Sequence, residues 1–211
     1  METIKFCKDK QTTFITPLGF GGHITGWGID PLRVVEKNWW ESIKFDDLEF
    51  ISTPAQHFSG RTGLKANNTL WSSWVIRNET SNIYFSGDSG YNKHFKDIGD
   101  LYGPFDMAYM ETGQYNERWA ESHMLPHEGI KAFKDLRAKR YFPIHWAMFD
   151  LSLHTWDEPI KEITKLAKEA DVTVITPKIG QLFKVDEHLY YSKWWLKTQE
   201  EVVLSNFQSE Y

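Results

Sequence analysis

Three runs of β-branched and aromatic residues in this chain each lead to a side chain able to bind a metal ion. Leu48 to Thr53 passes through Pro54, Ala55 and Gln56 to His57; Ile83-Tyr84-Phe85-Ser86-Gly87 ends on Asp88; Tyr141-Phe142-Pro143-Ile144 ends on His145. A strand held in a sheet fixes where its end points, so this repetition favours a sheet that delivers imidazole and carboxylate groups to one cleft. Taken singly, each residue has an ordinary explanation: a histidine at a strand end is commonly a hydrogen-bonded structural residue, and Gly87-Asp88-Ser89-Gly90 has ordinary turn composition. Taken together, the three fit a dinuclear centre. Imidazole and carboxylate are suitable ligands for zinc, iron or manganese, and the two oxygens of an aspartate can bridge cations about 3.5–4 Å apart. His57, Asp88 and His145 are therefore expected to converge.

The rest of the chain reads as an α/β layered fold. Thr12 to Thr16, Arg33 to Glu36, Leu48 to Thr53, Thr69 to Arg77 and Asn82 to Ser86 have strand composition, with Leu48 to Thr53 and Leu70 to Ile76 as antiparallel neighbours. Helices and strands then alternate: a helix over Asn92 to Tyr102, a strand over Asp106 to Met110, a helix over His127 to Lys139 and a strand over Arg140 to Ile144. Ile130, Phe133 and Leu136 recur at helical spacing. Asp157 as N-cap, Pro159 in the first turn and the stripe Ile160, Ile163, Leu166, Ala167 and Ala170 mark a last helix. Strands over Val172 to Thr176 and Gln181 to Val185 follow, then Trp194 and Trp195 and a polar tail. Strands followed by βα units point to layered α/β architecture.

Composition narrows the function. The 211 residues include 14 Phe, 10 Trp and 9 Tyr, ample material for a packed core. A net charge of -5 argues against sequence-independent nucleic-acid binding, which depends on Lys and Arg neutralising phosphates. No apolar run has the length of a membrane span and the first residues lack a signal-peptide pattern, so the cytoplasm is the expected location. Cys7, the single cysteine, has no disulfide partner and is expected to act as a small hydrophobe. Any metal must then be held by histidines and carboxylates. Glu128, opening a helix, is explained by capping. His94, His154 and His188 read as surface or packing residues. The paired Trp39-Trp40, with Trp71, Trp74, Trp146 and Trp194-Trp195, has two readings: core, or the lining of an acyl groove.

At the strand-end residues the sequence resembles a known family, the metallo-β-lactamase-fold hydrolases, and within it the N-acylphosphatidylethanolamine-hydrolysing phospholipase D group. The likeness runs from about Thr12 to Leu189. It is carried by Pro54-Ala55-Gln56-His57, Arg61-Thr62, Leu70-Trp71-Ser72-Ser73-Trp74, Phe85 to Tyr91, Gly103-Pro104-Phe105-Asp106, Ser122-His123-Met124 and Ile144-His145-Trp146. The resemblance implies an αββα sandwich and a divalent metal cofactor, zinc first, with iron or manganese as alternatives. It further implies that His57, Asp88 and His145 are metal ligands, with Asp88 bridging. His123 would be a catalytic histidine near the leaving group that does not bind metal. Tyr91 and His23 would lie near substrate, a structural role for His23 being equally open. The implied reaction is hydrolysis of a small-molecule or lipid phosphodiester through a metal-bound hydroxide.

One departure matters. Members of the family carry a His-x-His-x-Asp-His motif upstream of the region seen here, supplying more than half of the ligands, and no His-x-His occurs among the eight histidines of this chain. Two divalent cations take roughly four to six ligands each, which three residues cannot supply. Residues 1–198 are thus expected to form a partial hydrolase domain, incomplete on its N-terminal side, with 199–211 as a tail. The chain alone is expected to be inactive and to self-associate through apolar surface. The rival expectation is a catalytically dead interaction domain derived from such a hydrolase.

Overall fold

Alternating inward and outward side chains build the central sheet, in which residue positions two apart share a face. The computed structural model describes residues 2–60, 67–185 and 193–196. Six strands, β3 (Ser42–Phe45), β4 (Leu48–Thr53), β5 (Ser73–Arg77), β6 (Asn82–Phe85), β7 (Met107–Glu111) and β8 (Tyr141–Ile144), lie side by side in sequence order. The pairs from β3 to β6 are antiparallel, and β6, β7 and β8 are parallel. Strands β4, β6, β7 and β8 consequently run in the same direction, and their C-terminal ends emerge on one edge. A smaller parallel pair, β1 (Phe14–Pro17) and β2 (Val34–Lys37), stands apart from this sheet.

The two faces of the sheet differ in their cover. One register row, Ile51, Val75, Tyr84, Ala108 and Tyr141, is buried throughout. Helices α3 (His94–Tyr102), α4 (Pro126–Asp135) and α5 (Glu158–Glu169) supply the matching core residues Phe95, Ile98, Ile130, Phe133, Ile160 and Ile163. Burying each such side chain contributes about 1.5–3 kcal/mol. The next row faces the other way and is aromatic: Trp74, Phe85, Tyr109 and Phe142 are register partners across four strands. Tyr109 and Phe142 touch with ring centroids 4.5 Å apart, and Phe85 is 40% exposed. Near β3 to β5 this face meets the segment leading into β1 across a cavity of about 530 Å³ lined by Thr12, Ile15, Phe45, Phe50 and Trp74.

Several sequence expectations need correction. Strand β3 was not anticipated; it forms because Asp46, with φ of 53°, turns the chain back so that Phe45 pairs with Leu48. Gln181 to Val185 forms no strand, and Val172 to Thr176 reduces to one bridge between Val174 and Tyr141. Helix α4 stops at Asp135 rather than Lys139, since Arg137 adopts a left-handed φ of 57°. Asp157 occupies the N-cap position of α5 without capping it: its carboxylate accepts from the Thr155 hydroxyl at 2.8 Å and pairs with Lys161 at 2.5 Å. Two short N-terminal helices, α1 (Glu2–Phe6) and α2 (Gly21–Gly26), and two 3-10 turns, Pro31–Arg33 and Glu117–Trp119, are further elements among the described residues. The resemblance at Arg61-Thr62, His188 and the tail at 199–211 lie outside the described residues. No helix is long and apolar enough to cross a membrane among the described residues.

Candidate metal centre

The common edge of β4, β6, β7 and β8 is where the titratable residues gather, as expected for a site at the carboxyl ends of sheet strands. His57 follows β4, Asp88 follows β6, Glu111 ends β7 and His145 follows β8. Backbone contacts lace these ends together. The Gln56 amide donates to Ser89 Oγ at 2.9 Å, and the Gly90 amide donates back to the Gln56 carbonyl at 2.9 Å. The Met124 amide donates to the Ser89 carbonyl at 3.1 Å, which draws the His123 segment against the Asp88 loop. Between β7 and β8 the Thr112 amide reaches the Ile144 carbonyl at 3.0 Å. At Gly113 the approach is so close that a Cβ would collide with the His145 carbonyl. His145 itself has φ of 64°, a left-handed conformation uncommon outside glycine and found at functional positions.

These constraints bring the side chains together. His145 Nε2 is 3.6 Å from Asp88 Oδ2. The His123 ring stands between two others, with centroids 5.2 Å from His57 and 5.7 Å from His145. His57 Nδ1 pairs with the Phe58 carbonyl at 2.9 Å, whereas its buried Nε2 has no hydrogen-bond partner among the described residues. A buried polar atom without a partner is costly, and a cation bound at Nε2 would satisfy it. Glu111, His123 and His145 each offer a ligand atom within 4.8 Å of the others'. The donor set of imidazoles and carboxylates thus suits a divalent cation.

Glu111 is the residue the sequence reading missed. Read as Asp106 to Met110, the β7 segment stops one residue before the carboxylate; with its end at Glu111 it becomes a fourth strand terminating in a ligand-type side chain. The side chain is buried, pairs directly with His123 Nδ1 and accepts the Ser89 amide at 2.7 Å. Burial pushes its carboxyl above the usual range, opposed by His123 and the Ser89 amide. Burial alone would lower the His123 imidazole, but the Glu111 carboxylate outweighs it and holds His123 above the ordinary histidine range.

Two other residues expected near substrate have different surroundings. The Tyr91 hydroxyl donates to Asp135 at 2.6 Å, and its ring stacks on Phe95, so its polar end is directed at α4. His23, on α2, is exposed between Phe20 and Trp27, and no contact links it to the cluster among the described residues. His94 is buried, and Glu128 caps α4 by accepting the Leu125 amide at 2.9 Å, both as expected. Trp146, Trp194 and Trp195 pack on one another beside the site, and Trp195 is buried.

Comparison with known proteins gives the family. The model of the β-lactamase superfamily domain matches residues 1–146. An uncharacterised protein of Mycobacterium tuberculosis is 38% identical over 189 residues, covering 88% of this chain and 50% of its own length. An N-acyl-phosphatidylethanolamine-hydrolyzing phospholipase D of Caenorhabditis elegans is 32% identical, covering 84% of this chain and 54% of its own. The chain therefore spans about half the length of these relatives. Among solved structures, a metallo hydrolase of Ignicoccus hospitalis aligns over 87% of this chain and 74% of its own with a TM-score of 0.66 at 20% identity. That likeness concerns the fold alone. With a family model covering more than half of its residues, and the fold it shares with that solved structure, the chain belongs to the β-lactamase superfamily and has the metallo-β-lactamase fold.

Proposed function

We propose that this chain carries the downstream half of a metal-dependent phosphodiester hydrolase of phospholipase D type, with His57, Asp88 and His145 as its metal ligands. The observations that carry the reading are the approach of His145 Nε2 to Asp88 Oδ2 at 3.6 Å, and His57 Nε2, a buried nitrogen with no partner among the described residues, on a ring whose centroid is 5.2 Å from that of His123. The phospholipase D relatives in Caenorhabditis elegans and Saccharomyces cerevisiae support a phosphodiester, in a lipid or a small molecule, as the substrate class. A bound divalent cation, zinc or alternatively iron or manganese, supplies Lewis acidity toward a phosphoryl oxygen. Asp88, with two oxygens and an exposed position, is suited to span two such ions. The His123 ring lies between those of His57 and His145 and pairs with Glu111 through Nδ1, and its role is to protonate the leaving oxygen from Nε2; general acid catalysis of this kind contributes about 10²–10⁴-fold.

Because no His-x-His occurs in these 211 residues, the chain alone is proposed to bind at most one ion weakly and to be inactive. The same absence favours a second reading, an interaction domain derived from such a hydrolase. Hydrolysis separates the two. A phosphodiester and an N-acylated phospholipid are assayed with residues 1–211 and with a chain extended upstream through a His-x-His-x-Asp-His segment. Turnover only in the extended chain, lost in Asp88→Ala, supports the hydrolase reading. No turnover in either, with every metal supplied, supports the interaction domain. Full activity in residues 1–211 overturns the half-site assignment.

A further inference from the structure

Resting on the reading of His123 as the proton donor, we infer that Glu111 is its positioning residue: a buried carboxylate that holds a proton on His123 Nδ1 and turns Nε2 into the cleft. The two Glu111 oxygens have separate tasks. Oε1 pairs with His123 Nδ1, and Oε2 accepts the Ser89 amide at 2.7 Å, one residue beyond Asp88. The Glu111 backbone is held as well, its amide donating to Ser86 Oγ at 2.9 Å. The Asp88 loop therefore clasps Glu111 from both sides, and one side chain sets the relation between that loop and His123.

The energetics favour a carboxylate over other side chains here. The Glu111 side chain is 1% exposed, and a buried carboxylate without donors is strongly unfavourable, so it recruits donors from both neighbours. A neutral imidazole has one N–H, and the carboxylate decides which nitrogen bears it. With Nδ1–H committed to Glu111, Nε2 is the nitrogen left free on a ring that lies between those of His57 and His145. An amide at position 111 would offer one acceptor oxygen to two donors, and its NH₂ group would push the His123 proton to the other nitrogen. Glu111 touches neither metal nor substrate in this account; it acts through His123.

The test reads the tautomer rather than turnover. The full 211-residue chain is labelled with ¹⁵N-histidine, and the His123 signals are assigned from their absence in His123→Gln. Spectra are recorded with no metal added, at alkaline pH. The wild-type chain is expected to carry the proton on His123 Nδ1, and Glu111→Gln is expected to move it to Nε2 or to mix the two forms. Zinc and manganese titrations of the same samples should give a dissociation constant for Glu111→Gln within about twofold of wild type. A bare Nδ1 in the wild-type chain overturns the inference, and that measurement needs no variant to fold. An unchanged tautomer in a folded Glu111→Gln overturns it as well. A tenfold or greater loss of metal affinity in that variant overturns it in favour of Glu111 as a ligand. Absence of hydrolysis leaves the tautomer result intact, so failure of the phosphodiester reading is distinguishable from failure of this one.

Discussion

His94 shows how one residue ties stability to pH. It is buried beside Phe95, with ring centroids 4.1 Å apart, and burial pushes its pKa down to about 4, against 6.5 for a free imidazole. Between those values the unfolded chain binds a proton that the folded chain refuses, so this contribution is intact above about pH 6.5 and is lost as pH falls toward 4. His94→Gln removes the titration while retaining a polar group for Ser89 Oγ, 3.3 Å away. Urea denaturation should therefore find wild type the more stable at pH ~7, with the gap narrowing by about 2 kcal/mol at pH ~4.5; a constant gap would contradict the assignment. Gly113 gives a second prediction at this scale. Gly113→Ala should cost about 2 kcal/mol or more and weaken zinc binding at least tenfold, because the new Cβ displaces the His145 carbonyl and the ring with it. Calorimetry of the variant with zinc checks both. The placing of His57, Asp88 and His145 at strand ends was legible in sequence because each comes after an apolar run, His145 directly and the other two within a few residues. Glu111 was not, because a carboxylate closing a strand looks identical whether it meets water or a histidine twelve residues onward. Tyr91 was legible as an aromatic in a site-like motif, but the partner of its hydroxyl, Asp135, lies 44 residues away and has no local signature.

The elements repeat this division between local and distant information. Helices α4 and α5 were readable because their apolar residues recur at helical spacing, and Leu48 to Thr53 matched β4 to the residue. Strand β3 was obscured by its polar composition: only Ile43 and Phe45 among its four residues are apolar, and its pairing depends on the Asp46 turn. Gln181 to Val185 had strand composition, but no strand pairs with it among the described residues. How closely α3 and α4 approach was not legible either. Gly99 of α3 lies so near the Asp135 carbonyl that a Cβ would collide with it. Helix propensity alone would make Gly99→Ala stabilising by about 1 kcal/mol. The contact reverses the sign, and the variant should lose about 1–3 kcal/mol in chemical denaturation; a gain would show that the helices separate freely.

For the molecule as a whole, the aromatic row Trp74, Phe85, Tyr109 and Phe142 opposes the helix-covered core row. Exposed apolar patches promote association. Phe85→Lys should therefore lower the concentration-dependent increase in sedimentation coefficient of residues 1–211, with little change in stability; equal association in both would place the contact elsewhere. The fold was legible at this scale because its motifs occur in a specific order along the chain, whereas the faces left open depend on what packs against them. The central claim, that the ends of β4, β6 and β8 bring His57, Asp88 and His145 to one metal site, rests on where a cation binds. Its most direct test is zinc and manganese binding to residues 1–211, followed by calorimetry and by metal analysis after dialysis, in wild type and in the triple variant His57→Ala, Asp88→Ala, His145→Ala. The account predicts no more than one ion per wild-type chain, bound weakly, and none in the triple variant. Equal binding in both proteins, or two tightly held ions in the wild type, would contradict it.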